Sequence, residues 1–439
     1  MKTLRILTLA AAALILAACG NEEFIENNPG NEAAKPEFMT FTASAPQTRT
    51  LLDGLNVHWV EYDEIAIWDG SGAYQKFMVD AESINGSEAT FTGPALVPGA
   101  DYTAFYPLIA VESMDATSVN FNLPAEQTAV AGTFANQLAP SLAKATGGST
   151  NLEFNNLCAL VKFTAGADMA GEGTLTLVGG NATEALAGTL TCNTADGTLT
   201  ATEPATRITL KGDFESGQAY YFVVLPGTLA NGFSLLYEDS KGKLYRKATG
   251  KSTELQAGRI LNLGTLALTG FEKAVAKEIY AGLESGTATE NADGTVTLSD
   301  ADLSALAAMT TLELPSGGVT SLGGIGYCTG LTTLKCVNNQ LTELNLNGLT
   351  RLTTLRCNMN QLTTLDVSQL TLLRDLWCQD NKLTELDITR LSNLYTFKCG
   401  NQKDGRQLTL TLTAALETMW NDWWSSNSDN TNVTLDVKP

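Results

Sequence analysis

Two different spacings of apolar residues divide the chain. From residue 37 to 270 they come in short runs, among them Phe38-Met39-Thr40-Phe41, Val57-His58-Trp59-Val60, Ile65-Ala66-Ile67-Trp68, Ala104-Phe105-Tyr106 and Leu160-Val161-Lys162-Phe163. Further runs lie at residues 174–178, 220–225 and 234–237, and Asp53-Gly54, Asn85-Gly86 and Asp196-Gly197 supply turn signals between runs. Short runs punctuated this way predict antiparallel β-sandwiches. The stretch is large for one sandwich, so two lobes are expected, divided near Phe163. Farther on, the spacing changes. Cys336, Cys357, Cys378 and Cys399 fall 21 residues apart, as do Leu334, Leu355, Leu376 and Phe397. Leu331, Leu352, Leu373 and Leu394 keep the step, and so do Asn339, Asn360 and Asn381. Leu312, Leu314, Val319 and Leu322 form an earlier turn, 22 residues before Leu334, Cys336, Leu341 and Leu344. A fixed step of this length signals one structural unit per repeat, each burying its apolar side against its neighbours.

The repeat L-x-x-L-x-C-x-x-N-x-L resembles the leucine-rich-repeat pattern, with Cys in place of its central Leu. The expected form is a short solenoid over 299–403. Ser299-Asp300-Ala301-Asp302 predicts a capped helix sealing its first turn. Leu408 to Leu412 and a helix from Ala414 to Trp424 would form the other cap over 404–439, with Trp420, Trp423 and Trp424 burying the open end. If Leu334 and Cys336 point inward, strand alternation turns residues 333, 335 and 337 toward the open face. Its central column then reads Lys335, Arg356, Trp377 and Lys398. Thr333, Thr354, Asp375 and Thr396 flank it on one side, and Val337, Asn358, Gln379 and Gly400 on the other. Lys335, Arg356, Trp377, Lys398, Asp375, Asn358 and Gln379 are the candidate ligand-binding residues, and the ligand could be an anionic polymer, a sugar or a peptide. The plain alternative is an ordinary solvated sheet face. For the Cys column, zinc needs four ligands converging on a tetrahedron, whereas rungs stack in line about 4.8 Å apart. Parallel Cβ vectors also suit a disulfide poorly. Thiols packed as small hydrophobes are expected, with no metal and no cofactor.

At the start of the chain, Lys2 and Arg5 precede an apolar run from Ile6 to Leu16, too short to span a bilayer and typical of a secretory signal. Leu16-Ala17-Ala18-Cys19 resembles the lipobox of bacterial lipoproteins. That resemblance implies removal of residues 1–18 and acylation of Cys19, an anchor worth about 0.8 kcal/mol per buried CH₂. The polar segment 19–36 reads as a tether, and Glu22-Glu23 resembles the surface-export signal of Bacteroidetes lipoproteins. A surface-exposed outer-membrane lipoprotein is expected.

Composition narrows the chemistry. Net charge is −20, with 27 Lys and Arg against 47 Asp and Glu, so nucleic acid is an unfavourable partner. The acidity lies outside the repeats: residues 331–403 carry eight Lys and Arg against six Asp and Glu. His58 is the only histidine, and no G-x-S-x-G or H-E-x-x-H occurs. Gly250-Lys251-Ser252 matches the end of a phosphate-binding loop, but Tyr245 stands where that loop needs its first glycine. A protein without catalytic residues is expected.

The β-lobes also carry a family resemblance. Thr48-Arg49-Thr50, Asp53-Gly54, Val57, Trp59, Asp63-Glu64-Ile65 and Trp68 look like the opening of the Bacteroidetes fimbrillin family. Tyr106-Pro107, Leu123-Pro124-Ala125-Glu126-Gln127-Thr128 and the stretch from Leu152 to Leu160 fit its middle, and Ala185 to Leu190 with Leu225-Pro226 fit its second lobe. Tyr62 departs from the pattern, which usually has Gly there. The resemblance implies a mainly β fold of two transthyretin-like sandwich lobes, 37–163 and 164–270, followed here by a linker, 271–298, and the repeats with helical caps. It further implies a pilus subunit delivered as a lipoprotein, cut after an Arg so that its first strand leaves, and joined to other subunits by strand donation. Phe38 to Ala43 would be that strand and Arg49 the processing site. An accessory or tip subunit with the repeats as ligand-binding head is the leading reading. The alternative is a stand-alone surface lipoprotein that binds a host protein or glycan without assembling.

Overall fold

The computed structural model describes residues 38–45, 58–181, 183–283, 289–426 and 428–438. The lipid site expected at Cys19 and the processing site expected at Arg49 lie outside the described residues. The described chain is mainly β. Its first lobe is built on an eight-stranded sheet in the order Asn151–Glu153, Phe38–Ser44, Glu88–Pro94, Gln75–Val79, Glu64–Trp68, Tyr102–Tyr106, Ser141–Ala145, Asn155–Asn156. Phe38–Ser44 is held on both sides, antiparallel to Glu88–Pro94 and parallel to Asn151–Glu153. Its alternation puts Phe41 and Ala43 into the core, where Phe41 meets Phe77 and Tyr102 edge-on at 5.3 and 5.0 Å. Tyr102–Tyr106 is buried at every position because both sheet faces are covered there. Tyr102, Ala104 and Tyr106 join the core around Phe41, while Phe105 packs the other way onto Phe121 at 4.9 Å. That explains a continuous apolar run where a one-sided strand would alternate.

The two lobes interlock rather than meeting at a clean boundary near Phe163. Ser118–Leu123 pairs with Ala187–Asn193, and Glu126–Val130 runs parallel beside Arg207–Phe214. These segments of the expected first lobe occupy strand edges of the second, which would otherwise stand unpaired. Buried Gln127 completes the join: its Nε2 donates to Val223 O at 2.8 Å, and Val223 N donates to its Oε1 at 3.0 Å.

The described parts of the expected linker, 271–298, are likewise built into structure. Glu272–Ala276 and Thr295–Thr297 extend the nine-stranded sheet of the second lobe. Val275, Ile279 and Val296 open a hydrophobic core that runs on through the repeats to Trp424. Apolar side chains at the junction are thereby kept from water.

Residues 58–60, expected in a strand, lie outside any strand. Trp59 is nevertheless buried, and its Nε1 donates to Ala43 O at 3.1 Å. In the turn that follows, Tyr62 has φ 72°, in the left-handed region that favours Gly, and is 70% exposed. Asp63 clamps the turn, accepting from Val60 N at 2.9 Å and from Tyr106 Oη at 2.9 Å.

In the repeats, Thr311–Glu313, Thr333–Lys335, Thr354–Arg356, Asp375–Trp377 and Thr396–Lys398 form one parallel sheet. Leu312, Leu334, Leu355, Leu376 and Phe397 are directly registered, so the 21-residue step is the spacing of rungs. Cys336, Cys357, Cys378 and Cys399 are free and fully buried. The first cap is the helix Asp300–Ala308, with a capping box between Ser299 and Asp302. At the far end Ala414–Met419 continues into a wider turn, Trp420–Trp424, and Trp420 and Trp424 close over Phe397 at 6.3 and 5.2 Å. The side chain of Trp423 lies outside those described. Val433–Lys438 then returns parallel to Leu408–Thr413.

Two outcomes follow from this packing. Tyr62→Gly relieves a left-handed conformation worth about 1 kcal/mol, raising the thermal midpoint by about 2 °C; a lowered midpoint in a melting scan would refute the strain. Burial pushes the Cys336 thiol up to about 12 and those of Cys357 and Cys378 well above the usual range. Ellman's reagent at pH 8 should therefore find these thiols silent until denaturant is added.

Candidate functional site

Each rung turns sharply after its strand, and side-chain amides hold that turn. Asn360 Oδ1 accepts from Leu341 N at 3.1 Å, while its Nδ2 donates to Cys336 O and Cys357 O at 2.8 and 3.0 Å. Asn381 repeats this with Leu362 N, Cys357 O and Cys378 O. Gln402, one step further, does the same for Leu383 N and Cys399 O, and Asn430 ends the series on Cys399 N. The sequence pattern pointed to Asn339, Asn360 and Asn381 only; Gln402 sits in phase but differs in type, and Asn430 lies off the step. Asn338, Met359, Asp380 and Asn401 supply the left-handed residue of successive turns, with φ between 52° and 59°.

This scaffold brings the candidate column together. Lys335, Arg356, Trp377 and Lys398 are registered neighbours on successive strands and all half-buried. Glu313 precedes them in register with Lys335, and Asp429 follows against Lys398. The cations are not free for a polyanion. Lys335 pairs with Glu313 at 2.5 Å, Arg356 with Asp375 at 2.7 Å and Lys398 with Asp429 at 2.7 Å. Both Arg356 Nε and Nη2 donate to the same oxygen, Asp375 Oδ2. The column expected to be basic is thus balanced, three cations against three carboxylates, because each rung edge places an acid beside a base.

Trp377 is not an open platform either. The Arg356 guanidinium carbon lies 4.1 Å from its ring centroid and Lys398 Nζ 4.2 Å, from the rungs on either side. Such cation–π contacts are worth about 0.5–2 kcal/mol each. The flanking column differs from expectation as well. Asn358 and Gln379 are each 5% exposed rather than standing on an open rim, and Gly400 is crossed by the C-terminal segment. Gly400 N donates to Asp429 O at 2.8 Å, and a Cβ there would lie 2.4 Å from Thr431 N, so only glycine admits the crossing.

A second concave feature lies where the repeats meet the second lobe. A cleft of about 410 Å³ is lined by Glu172, Lys211, Glu238, Asp239, Glu343 and Asp366 among others. Lys211 bridges it to Glu343 at 2.7 Å, Asn347 Nδ2 donates to Ser240 O at 2.5 Å, and Gly326 N to Gly242 O at 3.0 Å. Burial, with Glu343 and Asp239 nearby, pushes the Glu238 carboxyl up to about 8, against the opposing pull of Lys211.

No protein-family model matches the chain, and no curated protein matches it. Among solved structures, the functional domain of InlJ from Listeria monocytogenes, which includes a cysteine ladder, matches at 34% identity with TM-score 0.25, over 36% of this chain and 29% of that one. The chain therefore spans less than a third of that domain's length. A fimbrial protein from Bacteroides ovatus matches at 12% identity and TM-score 0.24, over 51% and 47% of the two chains. The tip fimbrial protein Mfa3 from Porphyromonas gingivalis, with C-terminal truncation, matches at 8% identity and TM-score 0.24, over 48% and 80%. Fimbrial proteins are thus among its structural neighbours. No helix among the described residues is long and apolar enough to cross a membrane.

The cleft makes a pH prediction. The folded chain holds the Glu238 proton to about pH 8, whereas the unfolded chain releases it near the ordinary glutamate value. Between those limits the native state binds more protons, so this group lowers stability as pH rises and adds no slope above the upper limit. Glu238→Gln should flatten the fall in thermal midpoint between pH 5 and 8 and raise the midpoint at pH 8; an unchanged slope would show that Glu238 is solvated.

Proposed function

We propose that this chain is an exported, lipid-anchored surface protein without catalytic activity, acting as an accessory or tip subunit of a surface pilus with the repeat stack as its binding head. The observation that carries the reading is the registered column of polar and aromatic side chains along one face of a rigid parallel ladder. Rigid elements hold side chains in place for recognition better than loops do. Arg and Trp are also the residue types that dominate binding energetics. The capped, docked repeats suit a binding head: Val433–Lys438 is paired with Leu408–Thr413 along all six residues. Phe38–Ser44, by contrast, lies between two strands with Phe41 and Ala43 inserted in the core. Its removal would open a paired edge and an apolar trench at once, the form of acceptor that a donated strand fills. The partners in this reading are other fimbrial subunits by strand donation, a protein or glycan on the repeat face, and the outer membrane through Cys19.

The stand-alone lipoprotein remains the second reading, favoured if the mature surface form keeps both the Cys19 lipid and residues 37–49. Mass and N-terminal sequence of that form separate the two, with a new terminus at Thr50 expected for a processed subunit. Immunogold labelling of purified pili should place the protein at one end, and its absence from both ends removes the pilus assignment. Replacing Arg356 and Trp377 together by Ala should lower adhesion of expressing cells by at least about tenfold, with the sandwich strands still protected in hydrogen exchange.

A further inference from the structure

Among the described residues, six buried side-chain nitrogen and oxygen atoms lack a hydrogen-bond partner, and four of them sit on one part of the repeat face: Asn358 Oδ1, Asp375 Oδ1, Trp377 Nε1 and Gln379 Oε1. They come from two adjacent rungs. Asn358 and Gln379 are more than nine-tenths buried. Folded proteins leave few polar groups in this state, because each gives up its water without replacement. Four together on two adjacent rungs call for a reason other than packing.

Their chemistry selects among ligands. Asp375 Oδ1 accepts and the Trp377 indole N–H donates, while each terminal amide carries both an acceptor and a donor. An anionic polymer brings acceptors, so it leaves Asp375 Oδ1 unanswered, and it would meet Glu313, Asp375 and Asp429 as well as the bases they neutralise. A cationic group brings donors but faces Lys335, Arg356 and Lys398 and leaves the indole N–H unanswered. An extended peptide offers donors and acceptors in equal number, pointing alternately to opposite sides. A hydroxyl both donates and accepts without charge. Adjacent hydroxyls on one sugar ring provide several such groups within reach of neighbouring rungs about 4.8 Å apart.

We propose that this face binds a neutral, hydroxyl-rich saccharide through Asn358, Asp375, Trp377 and Gln379, an inference that rests on the repeat face being the ligand site. Trp377 contributes its N–H rather than its ring, since Arg356 and Lys398 already occupy the ring's sides. Asn358 and Gln379 can turn about their broad terminal torsions and present the amide oxygen without backbone movement. Arg356 serves as a positioning residue: with Asp375 Oδ2 engaged by the guanidinium, Asp375 Oδ1 is left to the ligand.

The test applies the intact protein to an array of neutral galactose- and N-acetylhexosamine-based oligosaccharides, their sulfated and sialylated counterparts, and glycan-free peptides. Binding to neutral members is expected, changing by less than about twofold between low and high salt because no ion pair is formed. Asn358→Leu and Gln379→Met should each weaken it by about tenfold or more while leaving the melting midpoint equal or higher, since an apolar group of similar shape removes an unpaired atom. Loss of binding with a preserved or raised midpoint cannot be a folding defect. Preference for sulfated members with a steep fall in salt, binding to peptides alone, or no neutral saccharide bound would each overturn the inference and leave the face as a ligand site untouched. Saccharide binding unaffected by these variants and by the Arg356, Trp377 double replacement would overturn the inference together with the reading of the face.

Discussion

The repeat stack depends on side-chain amides doing the work of backbone. A turn this tight leaves N–H and C=O groups facing inward at every rung, and each unpaired one would cost about 1–3 kcal/mol. Asn360, Asn381 and Gln402 answer these groups on their own rung and on the rung before, at distances of 2.7–3.3 Å. The amides therefore lock neighbouring turns in register as well as closing each one. Only with that register do the Leu and Cys columns align into one core and the outward column into one face.

The same register governs the cysteines. Four thiols in line are deeply buried, and desolvation keeps them protonated and chemically quiet. Each small, unbranched thiol packs as an apolar group in the interior of its turn, in the column that Leu314 occupies in the first turn. Their role is packing.

The repeats do not hang from the lobes on a tether. Close backbone approach at Gly326, where a Cβ would lie 1.9 Å from Lys241 O, joins a shared hydrophobic core and the Lys211–Glu343 bridge. The repeats and the second sandwich lobe are thus joined through packed elements. The interlocked strands of the two lobes, with Gln127 pairing both backbone groups of Val223, extend that packing to the first lobe.

Much of this architecture was readable along the chain. Periodicity located the rungs, the inward Cys column, the Ser299 cap and the outward column of Lys335, Arg356, Trp377 and Lys398, because strand alternation is a local rule. Short apolar runs located most sandwich strands for the same reason. Three features were decided only in three dimensions. Strands around Ser118–Leu123 and Glu126–Val130 joined the other lobe, since an edge accepts whichever partner is near and local pattern does not name it. Glu272–Ala276 and Thr295–Thr297, expected in a linker, became sheet beside the apolar residues of the first repeat. The column's charge was cancelled by Glu313, Asp375 and Asp429, and Trp377 was enclosed by two cations, because ion pairing depends on which side chains meet across rungs. Local spacing tells which way a residue points; what it touches there depends on the packing of the whole.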